Sequence, residues 1–479
     1  MMIQPLSQRR AFRKVRFLVS AYTELRPACA RKATFLWMCL VLVGLSARSD
    51  LAGVTSFVRT AGLEAAAYRK LLHLFHTPSL ALDRLTTLWI RLVCRLFVPR
   101  KVGGRFVCIA DGLKAPKEGR KMPAVKKLFQ ESSNNSKAPF IFGHSCQAVA
   151  LLVVGPLGRL LAVPLASRIH EGLVFTNRYK RSLLDKLVEL FLPVARTIGG
   201  SVVLVADAYY ASQKVIRPLL VEGHHLVTRV RSNTVAYRKA RRPRCPRRGR
   251  PRVYGAKLRL RDLWNQEDRF LVARSPVYGE TGVEIQYRTE DLLWRPVGRL
   301  VRFVWVRHPV RGRLLLMTTD LALDRIQVVA LYGYRFKIEV AFKQALHTVG
   351  VYAYHFWMMA MKPLRRRSGN QHLHRDSDEY RRLVRRKMDA YHRSIQLGCI
   401  AQGLLQHLSC QHRKVVWGHF RSWMRTMNPA APPSEAVVAE ALRSSLPEFL
   451  LHARGSHELA KFISANADPD RHVGLQSTG

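Results

Sequence analysis

Residues 105–111 read RFVCIAD and residues 201–207 read SVVLVAD. Each is a short run of apolar and β-branched residues that ends on an aspartate, in a chain otherwise poor in acids. Runs of this length bounded by polar residues predict buried strands. Outward from them, 140–144, 148–154 and 159–166 read as three further strands, with turn residues such as Gly155, Pro156 and Gly158 between them. Residues 178–198 place Leu183, Leu184, Leu187, Leu190 and Phe191 on one helical face, with Pro193 expected to kink the last turns and Gly199 and Gly200 to end them. A helix at 211–221 and a strand at 224–230 follow the second aspartate. This order predicts an α/β fold, with the run ending on Asp207 set parallel to the run ending on Asp111 by a right-handed crossover. Open α/β sheets place their sites at the carboxyl ends of strands, so both acids become site candidates.

The charge narrows the class of partner. The chain has 479 residues, 80 Lys+Arg against 32 Asp+Glu, and a formal net charge of +48. Self-repulsion of that size opposes compaction, so the excess predicts a polyanionic partner, with nucleic acid first and an anionic membrane surface second. The longest apolar run, 35–45, has 11 residues, too few to span a bilayer, which takes about 20. It also follows 34 residues containing eight basic groups, unlike a signal peptide. Eight cysteines without a CxxC pair predict a reduced compartment and no disulfide framework. The expected location is the cytoplasm. His407, Cys410 and His412 form the densest metal-like cluster, but no second cluster at ligand spacing completes a zinc site.

The chain divides by pattern into five stretches. Residues 1–100 read as an all-helical, basic, DNA-binding region. Residues 101–235 hold the first part of the α/β core. Residues 236–318 combine a basic arm with a β-rich insertion; the arm begins within a stretch, 229–252, holding 11 Lys/Arg and no acid. Residues 319–365 return to helix and complete the core. Residues 366–479 read as a basic, partly helical C-terminal region that begins with a mixed-charge polar stretch.

A third acid is needed if two aspartates are to hold hard cations such as Mg²⁺. The segment 332–343, YGYRFKIEVAFK, supplies Glu339, and on a helix Arg335, Glu339 and Lys343 share one face at i, i+4 and i+8. A solvated ion-pair stripe is the plain alternative. The segment resembles the signature of DDE transposases of bacterial insertion sequences in the YREK group: Tyr, any two, Arg, any three, Glu, any six, Lys. Tyr332, Arg335 and Glu339 fit; the lysine slot holds Leu346, with Lys343 one turn earlier as the candidate replacement. A lysine placed at 346 is therefore expected to be tolerated. The segments around Asp111 and Asp207 are similar to those bearing the first two acids in the same group, and the resemblance covers roughly 30–365.

The resemblance implies an RNase H-like catalytic core with a β-rich insertion, in which Asp111, Asp207 and Glu339 bind two Mg²⁺ or Mn²⁺ ions. It implies cleavage at insertion-sequence ends and transfer of the freed 3′-hydroxyl into target DNA. Such a pair of ions activates water and stabilises the leaving oxygen. Double-stranded DNA, as element ends and target, is then the partner, with a dimer on DNA and no membrane, and the resemblance implies the nucleoid of a bacterium as the location. Tyr332, Arg335 and Lys343 are expected to contact DNA, as are Lys114, Lys117, Arg120, Lys121, Lys126 and Lys127 after the first aspartate. Glu118, Glu131 and Glu171 read as offsets to nearby basic groups, and 134–136 as a turn. Trp294 reads either as core or as a surface on which an unpaired base stacks. A nuclease of the same fold that cuts without joining, and an inactive DNA-binding descendant, are the competing readings.

Overall fold

The computed structural model describes residues 21–130, 138–178, 181–240, 249, 251–277, 279–424, 427–452 and 457–469. Glu131, the turn at 134–136 and the arm's arginines at 241–248 and 250 lie outside the described residues, as does the chain before residue 21. Four helices open the described chain: α1 (Lys32–Ala47), α2 (Val54–Thr60), α3 (Ala67–His76) and α4 (Leu82–Leu96). Strands β1 (Arg105–Pro116), β2 (Lys126–Phe129), β3 (Phe140–Val154) and β4 (Leu160–Ile169) follow, then α5 (Leu183–Ile198), β5 (Val202–Ala206), α6 (Gln213–Val221) and β6 (His225–Arg229). The remaining strands are β7 (Val235–Lys239), β8 (Tyr254–Arg259), β9 (Leu271–Arg274), β10 (Glu284–Trp294), β11 (Arg299–His308) and β12 (Gly312–Thr318). Helices α7 (Arg325–Gly333), α8 (Phe336–Gln344), α9 (Asp378–Gln411), α10 (Arg413–His419), α11 (Glu435–His452) and α12 (His457–Ser464) end the chain.

All twelve strands belong to one large mixed sheet. In it β1 is antiparallel to β3 and parallel to β5, and β4 lies antiparallel on the far side of β3. Strand β6 adds parallel to β5, as the two apolar runs and their crossover helices predict. The insertion does not form a separate sheet. Its strand β12 pairs antiparallel with β6, and β11, β10, β7 and β8 continue outward from there.

Local chemistry explains the element boundaries. Ser182 caps α5 by accepting from the Asp185 amide, while Asp185 accepts from the Ser182 amide, so the helix starts at Leu183 and not at 178. Gly199 closes it in the left-handed conformation at φ 78°. Strand β3 runs through Ser145 and Gln147, which looked like a break between two strands. Both are buried, with Ser145 hydrogen-bonded to His170 at 3.2 Å and Gln147 donating to the Leu183 carbonyl at 3.1 Å. Strand β1 does not end on Asp111 but continues to Pro116, because pairing with β3 persists from Asp111 opposite Ala148 to Pro116 opposite Gly143.

The C-terminal region differs most from its sequence reading. Its polar start leads into α9, a helix of 34 residues capped by Ser377, whose side chain accepts from the Tyr380 amide. From Ile395 to Cys410 every residue of α9 is buried. The polar residues of that stretch serve backbone groups. Gln396 Nε2 donates to the Leu165 carbonyl at 2.9 Å, at a bulge where β4 slips register against β3. Trp89 Nε1 takes the adjacent Pro164 carbonyl at 2.8 Å. The Trp89 ring fits only because residue 403 is glycine, since a Cβ there would lie 2.3 Å from it. Helices α1, α4 and α9 share one hydrophobic cluster with β3 and β4, and α7 and α8 pack with the opposite face of the sheet.

Candidate active site

Strands β1 and β5 set the first two acids side by side. Their parallel register pairs Ile109 with Val205, and two residues further along lie Asp111 and Asp207. At Asp207 the chain leaves the sheet; its carbonyl accepts from Thr228 Oγ1 at 2.8 Å and the Tyr210 amide at 3.0 Å, which fixes the turn. Beyond Asp111, β1 keeps β3 but has lost its parallel neighbour, so the aspartate opens into a notch on that side. By strand alternation Asp111 shares a face with Val107 and Ile109, which belong to the cluster formed with α7 and α8.

Arg335, in the turn between α7 and α8, joins two of the acids. Its Nη1 is 2.7 Å from Asp111 Oδ2 and its Nη2 is 2.8 Å from Glu339 Oε1. Asp111 Oδ1 accepts from the Gly112 amide at 2.8 Å. Burial is the main force on Asp111 and pushes its carboxyl up to about 6; Arg335 opposes this, while the charges of Asp207 and Glu339 add to it. The Asp111 charge is therefore short of compensation even with the guanidinium in place. Tyr332, half-buried on α7, has its phenol raised chiefly by burial, with Arg335 and Arg229 opposing and Asp207 adding. The three acids, Arg335 and Tyr332 are thus brought together, while Lys343 is exposed one turn past Glu339 and pairs with no acid among the described residues.

Three residues near the acids had no sequence assignment. Tyr210 is buried beside Asp111, whose charge adds to the rise that burial imposes on the phenol. Exposed Tyr209 meets it edge-on, with centroids 5.4 Å apart. Arg229, exposed at the carboxyl end of β6, faces Tyr332. The signal for all three was present: they directly follow Asp207, or end the next parallel strand.

The basic stretch after Asp111 is less available than its composition suggested. Lys117 is buried, donates to the Tyr352 carbonyl and to the Tyr354 carbonyl at 3.1 Å, and is pulled down to about 7 by burial. It therefore ties two segments together instead of facing DNA. Lys126 pairs with Glu171 at 2.6 Å, and Lys127 lies 3.8 Å from the Phe140 ring centroid. Lys114 donates to the Phe129 carbonyl and Lys121 is half-buried. Arg120 is exposed, donating to the Leu364 carbonyl at 2.7 Å. Trp294 is buried in the core cluster, which leaves no face for a base.

Leu346 is half-buried at the lysine slot. It lies in a π-helical turn, Ala345–Val349, and packs against the core cluster. Lysine there would lose part of that packing while its ammonium reaches solvent, so Leu346→Lys should lower stability by about 0.5–1.5 kcal/mol in chemical denaturation. Lys343→Ala should leave the denaturation midpoint unchanged and slow DNA cleavage about tenfold; unchanged cleavage would remove Lys343 from the site.

No group of three or more His, Cys, Asp or Glu side chains with metal-holding geometry occurs among the described residues, at the acids or at His407, Cys410 and His412. The donor chemistry at the acids nevertheless suits a hard divalent ion: the donors are carboxylate oxygens, and the Asp111 charge, which burial disfavours, is short of positive compensation. Arg335 supplies the positive charge in the arrangement described.

A large mixed sheet with helices packed against it is a mixed α/β architecture, consistent with a nuclease fold. The sequence matches the family of DDE superfamily endonucleases over residues 24–281, more than half of the chain, and the chain belongs to that family. The match contains Asp111 and Asp207 and ends before Glu339. Endonucleases of this family cleave DNA with the help of divalent metal. Among curated proteins none matches the chain. No helix among the described residues is long and apolar enough to cross a membrane.

Proposed function

We propose that the chain is a DNA transposase of the YREK-signature group, cutting at the ends of an insertion sequence and joining the freed 3′-hydroxyl to target DNA. The observation that carries this reading is Arg335 bonded at once to Asp111 and Glu339 beside Asp207, since the signature's arginine and glutamate then meet the first aspartate in space. The order of an antiparallel meander followed by two parallel strands, with helices on both faces, supports an RNase H-like core for residues 101–235 and 319–365. In this reading the helices before residue 100, the insertion and the C-terminal region all contribute to holding DNA, and two copies act together on paired ends.

Asp111, Asp207 and Glu339 would hold the divalent ions, which supply charge stabilisation for in-line phosphoryl transfer. Arg335 orients Asp111 and Glu339 and offers the scissile phosphate a guanidinium when it releases one of them. Tyr332 and Arg229 line the approach from the side of Asp207. Buried Tyr210 keeps water from the inner side of Asp111. The chain's own contribution is positioning.

The test uses purified protein, Mg²⁺ and duplexes taken from the DNA that flanks the gene, searched for a pair of short inverted repeats. A nick at the repeat boundary, followed by joined products on a plasmid target, supports the transposase; nicks without joined products would leave an endonuclease. Binding to the same duplexes should weaken about 10³–10⁵-fold between 50 and 200 mM salt if about 6–10 phosphates are contacted, and a flat profile would contradict the role given to the basic excess.

A further inference from the structure

After the π-turn, Gly350 turns the chain at φ 67°, and residues 354–359 then run with alternating exposure. Tyr354, Phe356 and Met358 face inward and are buried; His355, Trp357 and Met359 face out. The inward row is held firmly. Tyr354 and Phe356 stack on Tyr391 of α9 at centroid distances of 4.9 and 5.9 Å, and Tyr391 Oη donates to the Phe356 carbonyl at 2.6 Å. Lys117, six residues beyond Asp111, grips the Tyr352 and Tyr354 carbonyls. The segment also pairs with the loop after β1: the Met358 amide donates to the Lys121 carbonyl at 2.9 Å, and the Leu364 amide to the Arg120 carbonyl at 2.9 Å.

The outward row is consequently a rigid aromatic edge. Trp357 is 61% exposed and Met359 84% exposed. The indole rests on Gly119, where an added Cβ would come within 2.8 Å of Nε1. Its surroundings are mostly basic, with Glu118, beside Gly119 and near His355, as the acid at its inner edge. Residues 340–375 contain six Lys or Arg and no Asp or Glu, and Lys362, Arg365, Arg366 and Arg367 are all exposed. The hairpin of β2 and β3 adds exposed Phe129 and Phe140, edge-on at 5.4 Å, next to the Ser368 carbonyl that accepts from the Lys127 amide.

We propose that Trp357 and Met359, framed by Arg120, Lys362 and Arg365–Arg367, form a platform for unpaired nucleotides of a DNA strand next to the cut. The basic frame takes the phosphates and the indole face takes a base. Charge complementarity selects this occupant: a protein partner or a second copy of this chain, itself strongly cationic, would leave these arginines uncompensated. Placement agrees, because the elements bearing Asp111 and Glu339 both lead into the platform. The proposal rests on the DNA-cutting reading above and adds where a separated strand goes.

The experiment compares full-length protein binding to a fully paired duplex and to the same duplex bearing a four-nucleotide single-stranded extension with 2-aminopurine, without divalent metal. The extension should tighten binding about tenfold, and the protein should change the 2-aminopurine fluorescence. Trp357→Ala should abolish the gain while leaving paired-duplex affinity and the melting temperature unchanged; Trp357→Phe should retain most of it. Duplex binding without any gain from the extension, or a gain that survives Trp357→Ala, overturns the platform alone. A Trp357→Ala protein that changes its sedimentation as an oligomer while keeping the gain assigns the surface to self-association and also overturns it. Failure to bind either DNA overturns the reading on which it rests.

Discussion

Asp111→Asn should reduce DNA cleavage by a factor on the order of 10³ or more and yet raise the stability of the metal-free protein at neutral pH. Burial lifts the Asp111 carboxyl from 3.8 to about 6, so between these values the folded chain keeps a proton that the unfolded chain has lost. The sign follows: this group's contribution to stability falls as pH rises through that window and stays unfavourable above it. Asparagine keeps the shape and discards the charge. With the side chain partly open to solvent, the gain should be about 1–3 kcal/mol, measured by urea denaturation at pH 7.5 and absent at pH 3.5. DNA binding should persist. A variant that cuts at the parent rate removes Asp111 from the site, and one that is less stable than the parent at pH 7.5 contradicts the burial account.

Arg48→Met should cost about 3–5 kcal/mol although Arg48 belongs to the first helical hairpin and touches no acid. The guanidinium is buried; Nη2 donates to the carbonyls of Val349 and Gly350 at 2.6 and 2.7 Å, Nε to Val349 at 3.1 Å, and Nη1 to Ser56 Oγ at 3.1 Å. Burial draws its pKa down to about 10, which still leaves it charged at neutral pH. Methionine fills the stem and abandons the carbonyls that end the π-turn after the glutamate helix. Denaturation at the parent midpoint would show that water replaces the clamp. If the clamp positions Glu339, cleavage should fall further than the unfolded fraction explains.

The two aspartate strands were legible because buried parallel strands are written as unbroken apolar runs, and their acids stand out in a cationic chain. Glu339 was legible from spacing with Arg335, and the structure joins those two directly. What the sequence hid was burial of polar residues. Lys117 looks like a DNA-contacting lysine because nothing local reveals that the carbonyls of Tyr352 and Tyr354, 235 and 237 residues away, lie over it. Helix α9 was missed because its first three turns are polar and its buried part contains Gln396, Gln402 and Gln406, whose partners are distant backbone carbonyls. The setting of the signature's lysine slot was hidden for a related reason: the π-turn changes the helical phase, and Leu346 packs, half-buried, against the core cluster.

The support of the glutamate helix by both ends of the chain also sets an order in time. Arg48 waits for a segment 301 residues downstream, and Gln402 Nε2 reaches the Ala341 carbonyl at 2.8 Å only after α9 has been made. At about 5–20 residues per second, the ribosome needs about 10–40 s to travel from Asp207 to Gln402. The third acid is therefore synthesised after both aspartates, and the contact from Gln402 that supports its helix is completed later still.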